Sequence, residues 1–155
     1  MGIFDKFNNQ SLSDQDAFEE LCCQLFETWG TTTRGFDSCW DYRDIRGAGG
    51  DGGIEAYWHN HNDNQYIGIQ AKWFPNTITS SQYVQIRSSI GTAVGLRPTL
   101  TTYIICIPHN LTSVHVGKGK LTVPGEEASW KSFEDKIAKD YPKVKFLLWD
   151  EHHIE

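Results

Sequence analysis

The middle of this chain contains no acidic residue. Residues 67–125 hold neither Asp nor Glu against five bases, Lys72, Arg87, Arg97, Lys118 and Lys120, whereas residues 1–66 hold twelve acids to four bases and residues 126–155 eight to five. The formal net charge of -6 taken alone argues against a polyanionic partner. The segregation qualifies that, because a local basic field can follow a phosphate backbone whatever the total charge. A buried strand between neutral loops would give the same composition with no partner at all. Other absences narrow the class further. No run of 18 apolar residues is present, which excludes a continuous membrane-spanning helix, and "MGIFDKFNNQ" lacks the basic, apolar and small-residue regions of a signal peptide. A cytoplasmic location with no membrane partner is the expectation. The four cysteines, Cys22, Cys23, Cys39 and Cys106, form no C-x-x-C pair, so they read as buried small hydrophobes rather than zinc ligands. Repeats, low-complexity segments and linkers are also missing. With 155 residues, 39% of them hydrophobic, a single domain spanning 1–155 is expected.

What is present alternates between two periodicities. Ser13 with Asp16 three residues on resembles a capping box, and Phe18, Leu21, Cys22, Leu25, Phe26 and Trp29 recur at helical spacing up to Gly30. "FDSCWDYRDI", "GGIEAYWHN" and "QYIGIQAKWF" read as three strands, the last two joined by the polar turn "HNDN". "TSSQYVQIRSSIGTA" supplies caps and an apolar line for a second helix, and "TTYIICIP" is a continuous apolar run suited to a buried strand. "EEASWKSFEDKIAKDYP" and "VKFLLWD" add a third helix and a last strand, with "EHHIE" as a tail. The order αβββαβαβ predicts an α/β fold with a mixed central sheet flanked by helices.

The stretch "RGAGGDGGIEAYW", residues 46–58, concentrates five glycines around Asp51 and Glu55. It contains G-x-G-x-x-G, but that fingerprint binds a dinucleotide only between a strand and a helix N-terminus. Here it leads into a strand, and Asp51 would repel an anion. Glycine beside a carboxylate also lets a bulky ligand approach the backbone. On the following strand Gln70 and Lys72 share one face, with Ile67, Ile69 and Ala71 on the other. Two polar side chains projecting together are costly to bury without partners, and Asp51 and Glu55 are the nearest candidates. They lie roughly 13 Å apart along an extended strand, so both reach one ion only if the glycines bend the chain.

At this point the sequence resembles a family. "GGDGGIE" followed by "IGIQAK", with "FEELCCQLFETWG" before them, is similar to the Mrr-like restriction endonuclease branch of the PD-(D/E)XK nuclease superfamily, over roughly residues 13–108. The resemblance implies a restriction-endonuclease-like αβββαβ core and a Mg2+- or Mn2+-dependent endodeoxyribonuclease acting on double-stranded DNA, and the lack of a separate reading module such as a helix-turn-helix or zinc finger predicts little base specificity. It implies Glu55 as the metal-binding acid, Gln70 in the place of the usual second carboxylate and Lys72 as the catalytic lysine, with Asp51 and Glu19 as auxiliary acids and the Ala71 carbonyl as a further ligand. Two positions depart from the pattern. The branch usually has Asp where Glu55 stands, and a neutral glutamine at 70 brings an oxygen without charge, which weakens magnesium binding. Arg87, Lys118 and Lys120 are the candidate DNA contacts. Such domains commonly form the effector end of longer anti-phage proteins, including restriction systems and antiviral STAND NTPases, so an effector excised from a longer, homo-oligomerising chain is expected. The alternative is a catalytically inert nuclease-fold module that binds DNA or oligomerises; a nuclease acting on junctions or RNA differs from the first reading only in substrate.

Overall fold

The computed structural model describes residues 13–46, 52–112, 115–116, 122–123 and 125–154. The first helix, α1 (Asp14–Thr28), starts where the sequence places it: the Ser13 hydroxyl accepts from the Asp16 amide at 3.1 Å, and Asp14 and Asp16 lie in the first turn, where acids favour the helix dipole. Phe18, Cys22, Cys23 and Phe26 form its buried stripe. A single π-helical turn follows over Trp29–Thr33, bringing Gly30 against the Trp58 indole so closely that a Cβ would come within 2.4 Å of the ring.

β1 (Trp40–Asp44), β2 (Ala56–Asn60) and β3 (Tyr66–Ala71) form an antiparallel meander, with Tyr42 opposite Trp58 and Trp58 opposite Ile67. The chain then crosses over through α2 (Ser80–Leu96) to β4 (Leu100–Cys106), which lies parallel to β3 with Ile69 opposite Ile104. Thr79 and Gln82 form a complete capping box at the start of α2. A two-residue ladder, β5 (His115–Val116) with β6 (Thr122–Val123), precedes α3 (Glu126–Asp140), and β7 (Lys145–Trp149) lies parallel to β4. The result is an α/β fold with a five-stranded mixed sheet in the order β1-β2-β3-β4-β7.

Each face of the sheet has its own core. On one, Phe18, Cys22, Cys23 and Phe26 of α1 pack on Ala56, Trp58, Ile67, Ile69, Ala71, Ile104 and Cys106. On the other, Ile86, Ile90 and Ala93 of α2 and Trp130 and Ile137 of α3 pack on Ile54, Leu100, Tyr103 and Ile105. β4 contributes to both faces, so it carries a continuous apolar run rather than an alternating one. The expected tail is instead a short helix, α4 (Glu151–Ile154), because Ile154 is buried against the α1 core and the His152 amide donates to Asn110 Oδ1 at 2.8 Å. Among the described residues no helix is long and apolar enough to cross a membrane.

Candidate active site

The strand alternation read from the sequence positions this site. Ile67, Ile69 and Ala71 face α1, while Gln70 is directed to the opposite face, toward α2. Pairing with β4 continues one residue past β3, through the Lys72 amide to the Cys106 carbonyl at 2.9 Å. That bond fixes the backbone from which the Lys72 side chain leaves the sheet.

Glu55 lies immediately before β2 and is held on both sides by the sheet. Its amide donates to the Ile69 carbonyl at 2.8 Å, and its carbonyl accepts from the Ile45 amide at 2.9 Å. Its side chain then turns back: Oε2 accepts from the Ala71 amide at 2.6 Å, where a continuing ladder would supply a backbone carbonyl. The glycine stretch makes this turn. Gly53 has φ +77°, and a Cβ there would meet the Ser89 carbonyl oxygen of α2 at 2.1 Å, so only glycine fits between strand and helix.

Glu55, Gln70, Ala71 and Lys72 line one cleft of about 570 Å3, and Glu19 of α1 and Gln85 of α2 line it too. The structure therefore gathers five of the predicted residues. Glu19 Oε1 accepts from Gln15 Nε2 at 3.2 Å within α1. Arg46, which lines the cleft as well, is engaged by Asp44, whose Oδ1 and Oδ2 both accept from Nε at 3.0 Å; these bonds hold the Asp44 carboxyl below its ordinary value.

Gln70 is 2% exposed. Its hydrogen-bonding surroundings orient the amide: with Nε2 inward its two N–H groups face the Gly53 carbonyl at 3.1 Å and the Tyr103 hydroxyl, Ser89 Oγ lies beside both amide atoms at 3.2 and 3.3 Å, and Oε1 is left toward Lys72 Nζ at 3.3 Å. Tyr103, fully buried on β4, donates its hydroxyl proton to the Gly53 carbonyl at 2.6 Å. Nothing in "TTYIICIP" marks this tyrosine, since in a strand buried on both faces an aromatic reads as core. Ser89 is equally hidden among the small residues of α2.

The other predicted residues are placed elsewhere or not described. Arg87 does not line this cleft; it crosses from α2 to α3 and pairs with Asp140, both side chains about half exposed. Arg97 stacks over Tyr57 and Tyr66, 4.6 and 5.6 Å from their ring centres. Asp51, Lys118 and Lys120 lie outside the described residues.

Among the described residues, no three His, Cys, Asp or Glu side chains are grouped to hold a metal ion. The donors that do share the cleft are hard oxygens, the Glu55 and Glu19 carboxylates and the Ala71 carbonyl. They suit Mg2+ or Mn2+ in kind and do not suit a soft metal. The fold and cleft together define an α/β domain with an oxygen-lined polar site at the end of its central strand. The chain matches no protein-family model and no curated protein.

Proposed function

We propose that the chain is a metal-dependent endodeoxyribonuclease domain of the Mrr-like PD-(D/E)XK type, with a restriction-endonuclease-like core, acting in anti-phage defence as part of a longer, oligomerising chain. The observation that carries the reading is the meeting of Glu55, Ala71, Lys72 and Glu19 in one cleft. That meeting follows from the element order rather than from sequence adjacency: α1, the approach to β2, and β3 each supply a part.

Hydrolysis of a phosphodiester adds the hydroxyl of water to phosphorus and breaks one P–O ester bond, the leaving oxygen taking the proton. Glu55, the Ala71 carbonyl and Glu19 are the oxygens that would hold Mg2+ or Mn2+, and such an ion, when bound, neutralises phosphate charge and activates water. The chain's own contribution is positional. Glu55 is fixed by the Ala71 amide, so its carboxylate enters the cleft at a defined height on the sheet. Lys72 brings a compact ammonium to the same cleft, suited to orienting water and balancing charge that grows on the phosphate oxygens.

The inert-module reading is favoured by one feature, the inward turn of the neutral Gln70 amide. Incubation of supercoiled plasmid with Mg2+ or Mn2+, at protein concentrations that allow oligomers, separates the two. Metal-dependent nicking that Lys72→Ala reduces by about 100-fold or more supports the enzyme. Retained DNA binding without cutting under either metal supports the module.

A further inference from the structure

Gln70 occupies the place where the resemblance expects a metal ligand and lines the same cleft, yet both ends of its amide are engaged by protein groups. Nε2 meets the Gly53 carbonyl, the Tyr103 hydroxyl and Ser89 Oγ; Oε1 meets Lys72 Nζ and Ser89 Oγ, both at 3.3 Å. Ser89 is 7% exposed and Tyr103 fully buried, so no water competes for most of these bonds. Tyr103 is anchored in turn, in register opposite Gly68 on β3 and with its ring 6.1 Å from Phe146 on β7.

We infer that Gln70 and Tyr103 are positioning residues that hold the Lys72 ammonium and the Gly53–Glu55 turn in fixed relation, and that Gln70 is not a metal ligand. This rests on the proposed role of Lys72 as the group facing substrate. The chemistry of the side chain supports it. An amide can donate to a backbone carbonyl and accept from an ammonium at once, whereas the carboxylate common at this position elsewhere in the superfamily cannot donate to Gly53. A glutamine here thus ties the turn that carries Glu55 to the lysine on the next strand. Tyr103 closes the tie by donating to the same Gly53 carbonyl from β4.

The decisive measurements need no turnover. By nitrogen-edited NMR of the whole chain, the Lys72 ammonium is expected to exchange with solvent about fivefold or more faster in Gln70→Ala and in Tyr103→Phe than in wild type, as a lost hydrogen bond requires. In parallel, Mn2+ titration is expected to give Gln70→Ala an affinity within about threefold of wild type. Unchanged Lys72 exchange in both folded variants overturns the inference. So does a tenfold loss of Mn2+ affinity in Gln70→Ala, or a tenfold gain in Gln70→Glu. Tyr103→Phe removes a single oxygen and carries the exchange test if Gln70→Ala does not fold. If wild type binds no Mn2+, the metal-dependent reading fails, and the exchange measurement still decides the positioning role. Where cleavage is observed, Tyr103→Phe should lower kcat about tenfold with KM within about threefold, and the matching change in Lys72 exchange separates this from simple loss of folded protein.

Discussion

Replacing Gly53 by alanine should unfold this protein at a much lower denaturant concentration than the same change at Gly35 or Gly95. Three costs add. An L-residue held at φ +77° pays about 1–2 kcal/mol for the left-handed conformation. The new methyl would lie 2.1 Å from the Ser89 carbonyl oxygen and 2.9 Å from the Ala93 amide nitrogen, both backbone atoms of α2, so the turn or the helix must move. Any such movement strains the bonds the Gly53 carbonyl accepts, from the Tyr103 hydroxyl at 2.6 Å and from Gln70 Nε2 at 3.1 Å, and losing buried hydrogen bonds costs about 1–3 kcal/mol. The conformational and hydrogen-bond costs alone come to about 2–5 kcal/mol, to which the backbone clash adds; that is a large part of a typical domain's stability and corresponds to a fall in Tm of at least about 4–20 °C. Urea unfolding monitored by tryptophan fluorescence measures it. Gly35 provides the control, since its φ is +64° but nothing lies within 4 Å of its Cβ position: Gly35→Ala should cost only the conformational part, about 1–2 kcal/mol. Gly95, in α2 with open space around it, should gain about 0.5–1 kcal/mol as alanine. A cost at Gly53 no larger than that at Gly35 would refute the close-approach reasoning.

Three further outcomes are expected. Burial pushes the Cys23 thiol from 9.0 up to about 12, and burial raises Tyr42 as well. Because the folded state holds these protons more tightly, their contribution is complete below the unfolded values and is lost as pH rises from about 9 toward 12, so urea midpoints should fall across that window; a flat profile there would contradict the burial of Cys23. Tyr83 Oη is buried with no hydrogen-bond partner among the described residues, so Tyr83→Phe should stabilise by about 1 kcal/mol, measured by the same unfolding curves. Arg87 spends its charge on Asp140, an ion pair half open to solvent; Arg87→Ala should change stability by less than about 1 kcal/mol and leave DNA affinity within about twofold in gel-shift titration, while Asp140→Asn, which frees the guanidinium, should raise it.

The local rules of the sequence carry the fold further than they carry the site. Ser13 and Thr79 announce their helices because caps act within four residues, and the parity of Ile67, Ile69 and Ala71 against Gln70 holds because a strand has no choice about its alternation. Long-range partners leave no such mark. Arg87 meets an acid 53 residues away, so reading it from composition as a free base in an acid-free stretch cannot foresee Asp140. Gln70 is recognisable as a polar residue needing partners, but Tyr103 and Ser89, which provide them, look in sequence like ordinary core and helix residues. The short helix at residues 151–154 depends on one apolar side chain, Ile154, finding the α1 core, too small a signal for any periodicity.

The bond between Glu55 and the Ala71 amide makes one backbone proton a witness to the cleft. Whatever binds the carboxylate, whether cation or water, draws on the lone pairs of the oxygen that accepts from that proton and deshields it. The amide resonance of Ala71, one residue before Lys72, should therefore report occupancy directly, giving a native probe at the centre of the site without label, substrate or mutation.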